Sequence, residues 1–138
     1  MSIGGTTLAG RIDRVDRLKS GKVAIIDYKT GKPQTPEDAD ESLQLSIYAL
    51  AARAKWGYEV DRLVFYNLTE NSAVSTHRSE LQLQEAKLKV VEVTEKIAAG
   101  RFEAKTGFHC NFCPYRNLCP RTEKRFLVAA ASKARNAN

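Results

Sequence analysis

The chain has no long apolar run and few cysteines, and both absences exclude whole classes of protein. None of its 138 residues belongs to an apolar stretch near the roughly 20 residues needed to cross a bilayer. The first residues, Met1–Gly5, lack the basic and apolar regions of a secretory signal. All three cysteines lie between Cys110 and Cys119, so no disulfide framework ties distant parts of the chain together. These absences predict a cytoplasmic protein with no membrane partner.

What is present is an ordinary globular composition with a basic balance. Hydrophobic residues make up 43% and charged residues 28% of the chain, as in a single globular domain with one core. Lys and Arg number 22 against 16 Asp and Glu, a net charge of +6. A positive balance favours a polyanionic partner, although basic surfaces also serve solubility.

Residue patterns predict an α/β chain. Alternating and continuous apolar stretches indicate strands, and apolar residues at helical spacing indicate helices. The predicted elements are strands at 7–15, 22–29, 62–68 and 73–78, and helices at 42–55 and 83–99, with a polar loop at 32–41. Such elements pack as a sheet with helices against it.

Two short acidic stretches flank a predicted turn at Ser20–Gly21. A hairpin folded about position 20 places residues opposite each other when their numbers add up to 40. Asp13 then lies opposite Asp27, about 5 Å away across the ladder. Lys29, two residues after Asp27, points to the same face of the sheet. The sequence therefore predicts two carboxylates and one ammonium on one patch of sheet.

Such a patch suits a divalent cation and a phosphodiester. Magnesium prefers oxygen ligands, keeps several waters and needs only one or two carboxylates from the protein. Two unpaired acids this close would otherwise repel each other, and one would be protonated. The alternative is a solvated hairpin whose Asp and Lys side chains simply pair. The apolar run Val23–Ile26 predicts a strand buried on both faces, and a charged triad ending a buried strand favours the functional interpretation.

Three motifs follow one another along the chain. They are residues 10–16 (Gly-Arg-Ile-Asp-Arg-Val-Asp), 26–31 (Ile-Asp-Tyr-Lys-Thr-Gly) and 43–50 (Leu-Gln-Leu-Ser-Ile-Tyr-Ala-Leu). In this order and spacing they resemble the PD-(D/E)xK nuclease superfamily, and within it the RecB/AddB-type nuclease domain, over about residues 10–120. The resemblance implies a restriction-endonuclease-like fold, with a mixed β-sheet flanked by α-helices and a C-terminal Cys-rich loop.

The resemblance also implies a role for each matching residue. Asp13 and Asp27 would bind the catalytic Mg2+ or Mn2+, and the backbone carbonyl of Tyr28 would be a further ligand. Lys29 would be the catalytic lysine.

The third motif carries a glutamine and a tyrosine. Gln44 and Tyr48 correspond to the family's Q-x-x-x-Y helix, and residues four apart share a helix face. They are expected to reach the lysine or a phosphate. Without the family argument, a partly buried amide and phenol on an amphipathic helix explain the same pattern.

The cysteines form a second candidate site. Cys110, Cys113 and Cys119 lie within ten residues, and such clustering in an intracellular chain favours a metal over disulfides. Thiolates suit zinc or an iron–sulfur cluster. The resemblance implies a 4Fe–4S cluster, but its fourth cysteine is missing, and His109 would complete a zinc site only awkwardly because it adjoins Cys110. Three free thiols are the remaining alternative.

Four other features carry smaller expectations. Trp56 is predicted to anchor the core, and His77 to lie solvated on an edge strand. Arg14 is expected on the opposite strand face from Asp13. A basic and aromatic cluster near the cysteines is expected either to track a DNA strand or to be a solvated surface: Tyr115, Arg116, Arg121, Lys124 and Arg125.

The expected organisation is a nuclease core over residues 1–121, including a Cys-rich segment at 107–121, and a tail at 122–138 that begins as a helix. By its resemblance, the chain is expected to be the C-terminal part of a larger nuclease or helicase–nuclease.

The predicted function is a Mg2+- or Mn2+-dependent DNA nuclease, of exonuclease type, in DNA repair or recombination. The isolated chain is expected to be weakly active or inactive. One alternative is a catalytically incomplete module that binds DNA or completes a complex with a helicase subunit. The other is a zinc-stabilised structural domain whose acids form only ion pairs.

Overall fold

A computed structural model describes residues 1–121 of the chain. The predicted tail at 122–138, with Lys124 and Arg125, lies outside the described residues. The elements in chain order are β1 (Ser2–Ile3), β2 (Thr6–Thr7), β3 (Arg14–Arg17), β4 (Val23–Lys29), α1 (Pro36–Asp40), α2 (Leu43–Trp56), β5 (Val60–Asn67), β6 (Ser72–Thr76), α3 (Glu80–Ala98) and a 3₁₀ turn (Phe108–Phe112). The described residues divide into two units, one over Met1–Ala98 and a second that begins at Ala99.

Four strands of the first unit form one mixed sheet in the order β3-β4-β5-β6. The outer pairs are antiparallel, whereas β4 and β5 run parallel. A parallel pair needs a crossover connection, which the segment containing α1 and α2 supplies. The mixed sheet with helices confirms the α/β fold class expected from the sequence.

The register of the first hairpin is the predicted one. Arg14 lies opposite Ile26, and Arg17 opposite Val23, so paired numbers add up to 40. The predicted extent of the strand is wrong, because pairing starts only at Arg14 and residues 2–7 form a separate small hairpin instead. The carboxylate of Asp13 accepts a hydrogen bond from the Tyr28 N–H at 3.1 Å. The Asp13 side chain therefore bonds the Tyr28 amide, and the ladder between β3 and β4 ends at Arg14.

The sheet buries residues on both faces. One face of β4 and β5 contributes residues such as Ile25 and Leu63 to the main core, where α2 and α3 supply the other side. The opposite face carries a smaller cluster of Ala24, Ile26 and Val64. Residues 23–27 are therefore all buried, as the apolar run predicted.

Helix α2 begins and ends at residues suited to those positions. The Ser42 side chain accepts a hydrogen bond from the Leu45 N–H at 3.2 Å and caps the first turn. Gly57 ends the helix with φ = 65°, a left-handed conformation that favours glycine. Between these caps, Leu45, Ala49 and other small or apolar residues are buried against the sheet. Trp56, in contrast, is 47% exposed, so its expected role as a core anchor is wrong.

The segment predicted as a polar loop contains a short helix, α1. Thr35 and Asp38 exchange side chain-to-backbone hydrogen bonds in a capping box, and Pro36 occupies the first helical position. These local signals were present in the sequence, but the polar composition of the segment concealed them.

The described part of the second unit has little regular structure. The 3₁₀ turn includes an edge-to-face pair of Phe108 and Phe112, with ring centroids 5.5 Å apart. Backbone hydrogen bonds between residues three apart continue to Leu118. Across residues 1–121, no helix is both long enough and apolar enough to cross a membrane.

Candidate active site

Asp27 is a buried acid near the end of the central strand. Its residue is only 4% exposed, and burial of a carboxylate is unfavourable unless donors surround it. The Lys29 ammonium lies 2.9 Å from Asp27 Oδ2. Gln44 Nε2 donates to Asp27 Oδ1 at 3.0 Å, and the Tyr48 hydroxyl donates to the same oxygen at 3.3 Å. The carboxylate is thus satisfied by side chains from β4 and α2.

Gln44 connects all the other members of this group. Its Oε1 accepts a hydrogen bond from Lys29 Nζ at 2.8 Å. Its Nε2 donates to Asp27 and also to the Tyr48 hydroxyl, at 2.8 Å. One amide therefore fixes the distance between the carboxylate and the ammonium. We call Asp27, Lys29, Gln44 and Tyr48 the Asp27 network.

Local structure explains why these four side chains meet. Residues 27 and 29 alternate onto the same face of β4, which faces α2, and residues 44 and 48 lie one turn apart on that helix. Lys29 Nζ also lies 4.7 Å from the centroid of the Phe65 ring on the neighbouring strand β5, a cation–π contact that helps to orient the ammonium.

Asp13 lies next to the Asp27 network. Its Oδ2 bonds the backbone of Tyr28 at 3.1 Å, one residue from Asp27, and its side chain is exposed. Arg14 lies on the opposite face, where its guanidinium donates to the Tyr28 hydroxyl at 3.1 Å. The structure therefore brings Asp13 to the edge of the site.

The oxygens of this site are suited to a hard divalent cation. A carboxylate has about four lone-pair positions, and three donors reach Asp27, which leaves an acceptor position. Asp13 Oδ1 has no hydrogen-bond partner within residues 1–121. With the Tyr28 carbonyl, the donor set consists of oxygen alone, as Mg2+ prefers. In the same residues no three His, Cys, Asp or Glu side chains converge as a metal site, so water would have to complete the coordination.

A cavity of about 310 Å³ extends from Tyr48 along α2. One wall is the helix face formed by Tyr48, Ala51 and Lys55, and the segment around Gly10 and Ile12 lines another side. The site is therefore adjacent to a space that contains a lysine and is large enough for part of a ligand.

Asn67 supports the site and was missed in the sequence. It pairs in register with Lys29 on β5 and is 3% exposed. Its Oδ1 accepts from the Gln34 N–H at 2.9 Å, and its Nδ2 donates to the Gln34 carbonyl at 3.2 Å. These bonds fasten the loop after Lys29. A polar residue ending a buried strand was the available signal.

The cysteine segment gives a different result. Cys110 and Cys113 are half-buried thiols, and Cys110 Sγ accepts from the Gly107 N–H at 3.4 Å. The His109 ring contacts the Lys105 carbonyl at 3.0 Å. No three metal-binding side chains come together in the described chain, so these residues as arranged do not fit a zinc or iron–sulfur centre.

Fold and site together define a restriction-endonuclease-like α/β protein, with an acid, a lysine and a helix-borne glutamine meeting beside a mixed sheet. The profile of the PD-(D/E)XK nuclease superfamily matches residues 1–120. The chain therefore belongs to the PD-(D/E)XK nuclease superfamily.

Solved structures agree with this fold. The chain is similar to the crystal structure of SSO0001, with 19% identity and a TM-score of 0.54. The similarity covers 88% of this chain and 56% of that one, so this chain spans little more than half of its length. No curated protein matches the sequence.

Proposed function

We propose that the chain is a DNA nuclease domain that uses Mg2+ or Mn2+ to hydrolyse phosphodiester bonds. The observation that carries the proposal is the buried Asp27 carboxylate, which is held by Lys29 and Gln44 and retains an acceptor position. Asp13 and the Tyr28 carbonyl would hold the same cation. When bound there, the cation would supply Lewis-acid stabilisation for the charge that builds on the phosphate.

The side chains of the Asp27 network have separate roles in this proposal. The Lys29 ammonium, already fixed at 2.8 Å from Gln44, donates to the attacking water or to a phosphate oxygen. Gln44 keeps the distance between the Lys29 ammonium and the Asp27 carboxylate constant, so little reorganisation is needed during reaction. Tyr48 donates to Asp27 and forms one end of the cavity.

Two observations support DNA as the substrate: a cavity beside the site that is lined by a lysine, and the basic net charge of the chain. One strand of DNA would enter the cavity beside α2, where Lys55, which lines it, would contact a phosphate. The net charge of +6 favours a polyanion. We assign the domain to the RecB/AddB-type branch, and to DNA repair or recombination, because residues 44 and 48 carry that branch's glutamine and tyrosine.

A second candidate is a DNA-binding module that lacks activity alone. It is favoured by the absence of a third converging acid within residues 1–121. In this case another subunit or domain, such as a helicase, would complete the site, and the isolated chain would bind DNA without cutting it.

Cleavage assays separate the two candidates. Labelled single- and double-stranded DNA is incubated with the chain and Mg2+ or Mn2+, with EDTA as one control and Asp61→Asn as a matched acid control on β5. For the nuclease, Asp27→Asn should reduce cleavage by more than the roughly 10–100-fold typical of residues that only orient a metal ligand. Salt-dependent DNA binding without cleavage would favour the second candidate. Cleavage that survives Asp27→Asn would refute the assignment of the site.

A further inference from the structure

Arg78, between β6 and α3, has every side-chain donor engaged. A guanidinium carries five N–H donors, and Arg78 makes five hydrogen bonds. The acceptors are Ser46 Oγ at 2.8 Å, Thr76 Oγ1 at 2.9 Å, the His77 carbonyl at 2.8 Å, the Ala39 carbonyl at 2.7 Å and the Ser42 carbonyl at 3.2 Å. No donor is left over for a phosphate.

The arrangement is unusual because all these acceptors are neutral. No carboxylate lies within salt-bridge distance of Arg78 in the described part of the chain. Burial lowers the pKa of its guanidinium, although Asp40 opposes this shift. A lysine has three donors and no planar fork, so it would not reproduce the pattern.

The bonds of Arg78 converge on the start of α2. Ser42 caps this helix, and its carbonyl also accepts from the Ser46 N–H at 3.3 Å and the Ser46 hydroxyl at 3.2 Å. Arg78 bonds both Ser42 and Ser46, and so connects the cap to the next turn. It also bonds the Ala39 carbonyl in α1, which fixes the link between the two helices.

Gln44 lies within the turn that Arg78 holds. Its amide reaches Lys29, Asp27 and Tyr48 over 2.8–3.0 Å, and a misplacement of about 1 Å in a site can reduce the rate about 100-fold. We propose that Arg78 is a positioning residue. By fixing the first turn of α2, it sets the position of Gln44 and thereby the distance between the Asp27 carboxylate and the Lys29 ammonium. Only the kinetic part of this inference rests on the proposed nuclease function.

A matched control exists on the same helix. Arg53, farther along α2, bonds Glu80 at the start of α3 through both terminal nitrogens, at 2.9 and 2.6 Å. Its side chain is 48% exposed, and exposed ion pairs contribute little. Arg78 therefore connects α2 with the segment before α3, and Arg53 connects α2 with the first residue of α3, but only Arg78 supports the turn that carries Gln44.

The first test compares Arg78→Lys with Arg53→Lys in steady-state cleavage. Arg78→Lys should reduce kcat by about 100-fold with KM little changed, since the proposed cavity is not altered. Arg53→Lys should leave both constants near those of the original chain. Equal kcat values for the two variants would overturn the inference.

A second measurement does not require cleavage. The Gln44 side-chain amide, assigned with Gln44→Glu, is followed by 15N NMR, and its hydrogen bonds to Asp27 and Tyr48 should give it a distinct shift and slow exchange. Arg78→Lys should abolish both properties, whereas Arg53→Lys should preserve them. If Arg78→Lys does not fold, Ser46→Ala removes one acceptor of Arg78 and should produce a smaller change in the same direction.

The two readouts keep the proposals separate. If the original chain does not cleave DNA, the proposed nuclease function fails, and the Gln44 amide still decides the role of Arg78. An unchanged Gln44 amide in folded Arg78→Lys, or in Ser46→Ala where that variant must replace it, would refute the positioning role even if cleavage were present.

Discussion

The Asp27 network and the cysteine segment were both marked as candidate sites by the sequence, yet they differ in how the chain supports them. Asp27 is 4% exposed and receives three side-chain donors. The cysteine segment instead leaves Phe108 79% and Leu118 83% exposed.

The difference lies in the supporting structure. The Asp27 network uses residues of β4 and α2, whose backbones are fixed by a sheet ladder and by packing in the main core. Residues 99–121 are described mainly by a short 3₁₀ turn and bonds between residues three apart. A site on packed elements is organised by the chain itself, which is what a preorganised catalytic site requires.

The largest expected effect is on the Asp27 network. Lys29→Met keeps much of the side-chain length but removes the ammonium that bonds Gln44 and Asp27. We expect kcat for DNA cleavage to fall about 100–1,000-fold, the size typical for loss of one group that stabilises transition-state charge. Lys32→Met, in the exposed loop that follows, is the control. Similar rates for both variants, with both folded by circular dichroism, would contradict the role given to Lys29.

Stability should distinguish the two regions next. Ile25 is fully buried, and Ile25→Ala should reduce the free energy of unfolding by about 2–5 kcal/mol because it leaves a cavity. Phe108→Ala should change it by no more than about 0.5 kcal/mol, as at exposed positions. Urea unfolding gives both values. A large loss for Phe108→Ala would mean that the exposed ring contributes to the folded core.

Measuring metal content compares the Asp27 network and the cysteine segment directly. Since no three metal-binding side chains converge among the described residues of the cysteine segment, we predict that residues 107–121 by themselves hold neither zinc nor iron in stoichiometric amount. Elemental analysis and a visible absorption spectrum measure this. A colourless protein with one zinc per chain would support the zinc-stabilised structural domain instead. A brown protein with iron would support an iron–sulfur cluster.

The smallest effect is expected at an exposed group of one acid and two lysines, in contrast to the buried carboxylate of Asp27. Hydrogen bonds from the Lys96 and Lys89 ammonium groups lower the pKa of Glu92 from 4.5 to about 2. Because the pKa is lower in the folded state, the stabilisation is present above pH 4.5 and is lost as the pH falls to about 2.

Unfolding of the original chain and Glu92→Gln across this range measures that effect. The two proteins should differ slightly at neutral pH and converge in acid, because the group is solvent-screened. A difference that grows as the pH falls would contradict the assigned direction.

Much of the fold followed from local pattern. Strand and helix periodicity gave α2 nearly to its ends, and the turn at residues 20–21 gave the hairpin register. Short-range rules were less successful where a side chain competes with the backbone. Asp13 bonds the Tyr28 amide where the prediction had placed a continuous strand, and Thr35 caps a helix in a segment that resembled a loop.

Only part of the candidate site could be predicted from the sequence. Asp27 and Lys29 share one short motif and Gln44 and Tyr48 another, so proximity within each pair was predictable. Only the family resemblance implied that the two pairs would meet, and whether they catalyse stays a prediction. Arg78 and Asn67 contact residues more than 30 positions away, and no local pattern encodes such contacts. Trp56 was expected inside because it is aromatic, but it is the last residue of α2 and remains exposed.

That Asp13 and Asp27 hold one divalent cation beside Lys29 is tested most directly by a crystal structure of the chain soaked with Mn2+. Anomalous density for a single ion, bonded by both carboxylates and the Tyr28 carbonyl, is the predicted result. Mn2+ bound elsewhere, or absent at saturating concentration while Asp27 keeps its bonds to Lys29 and Gln44, would contradict it.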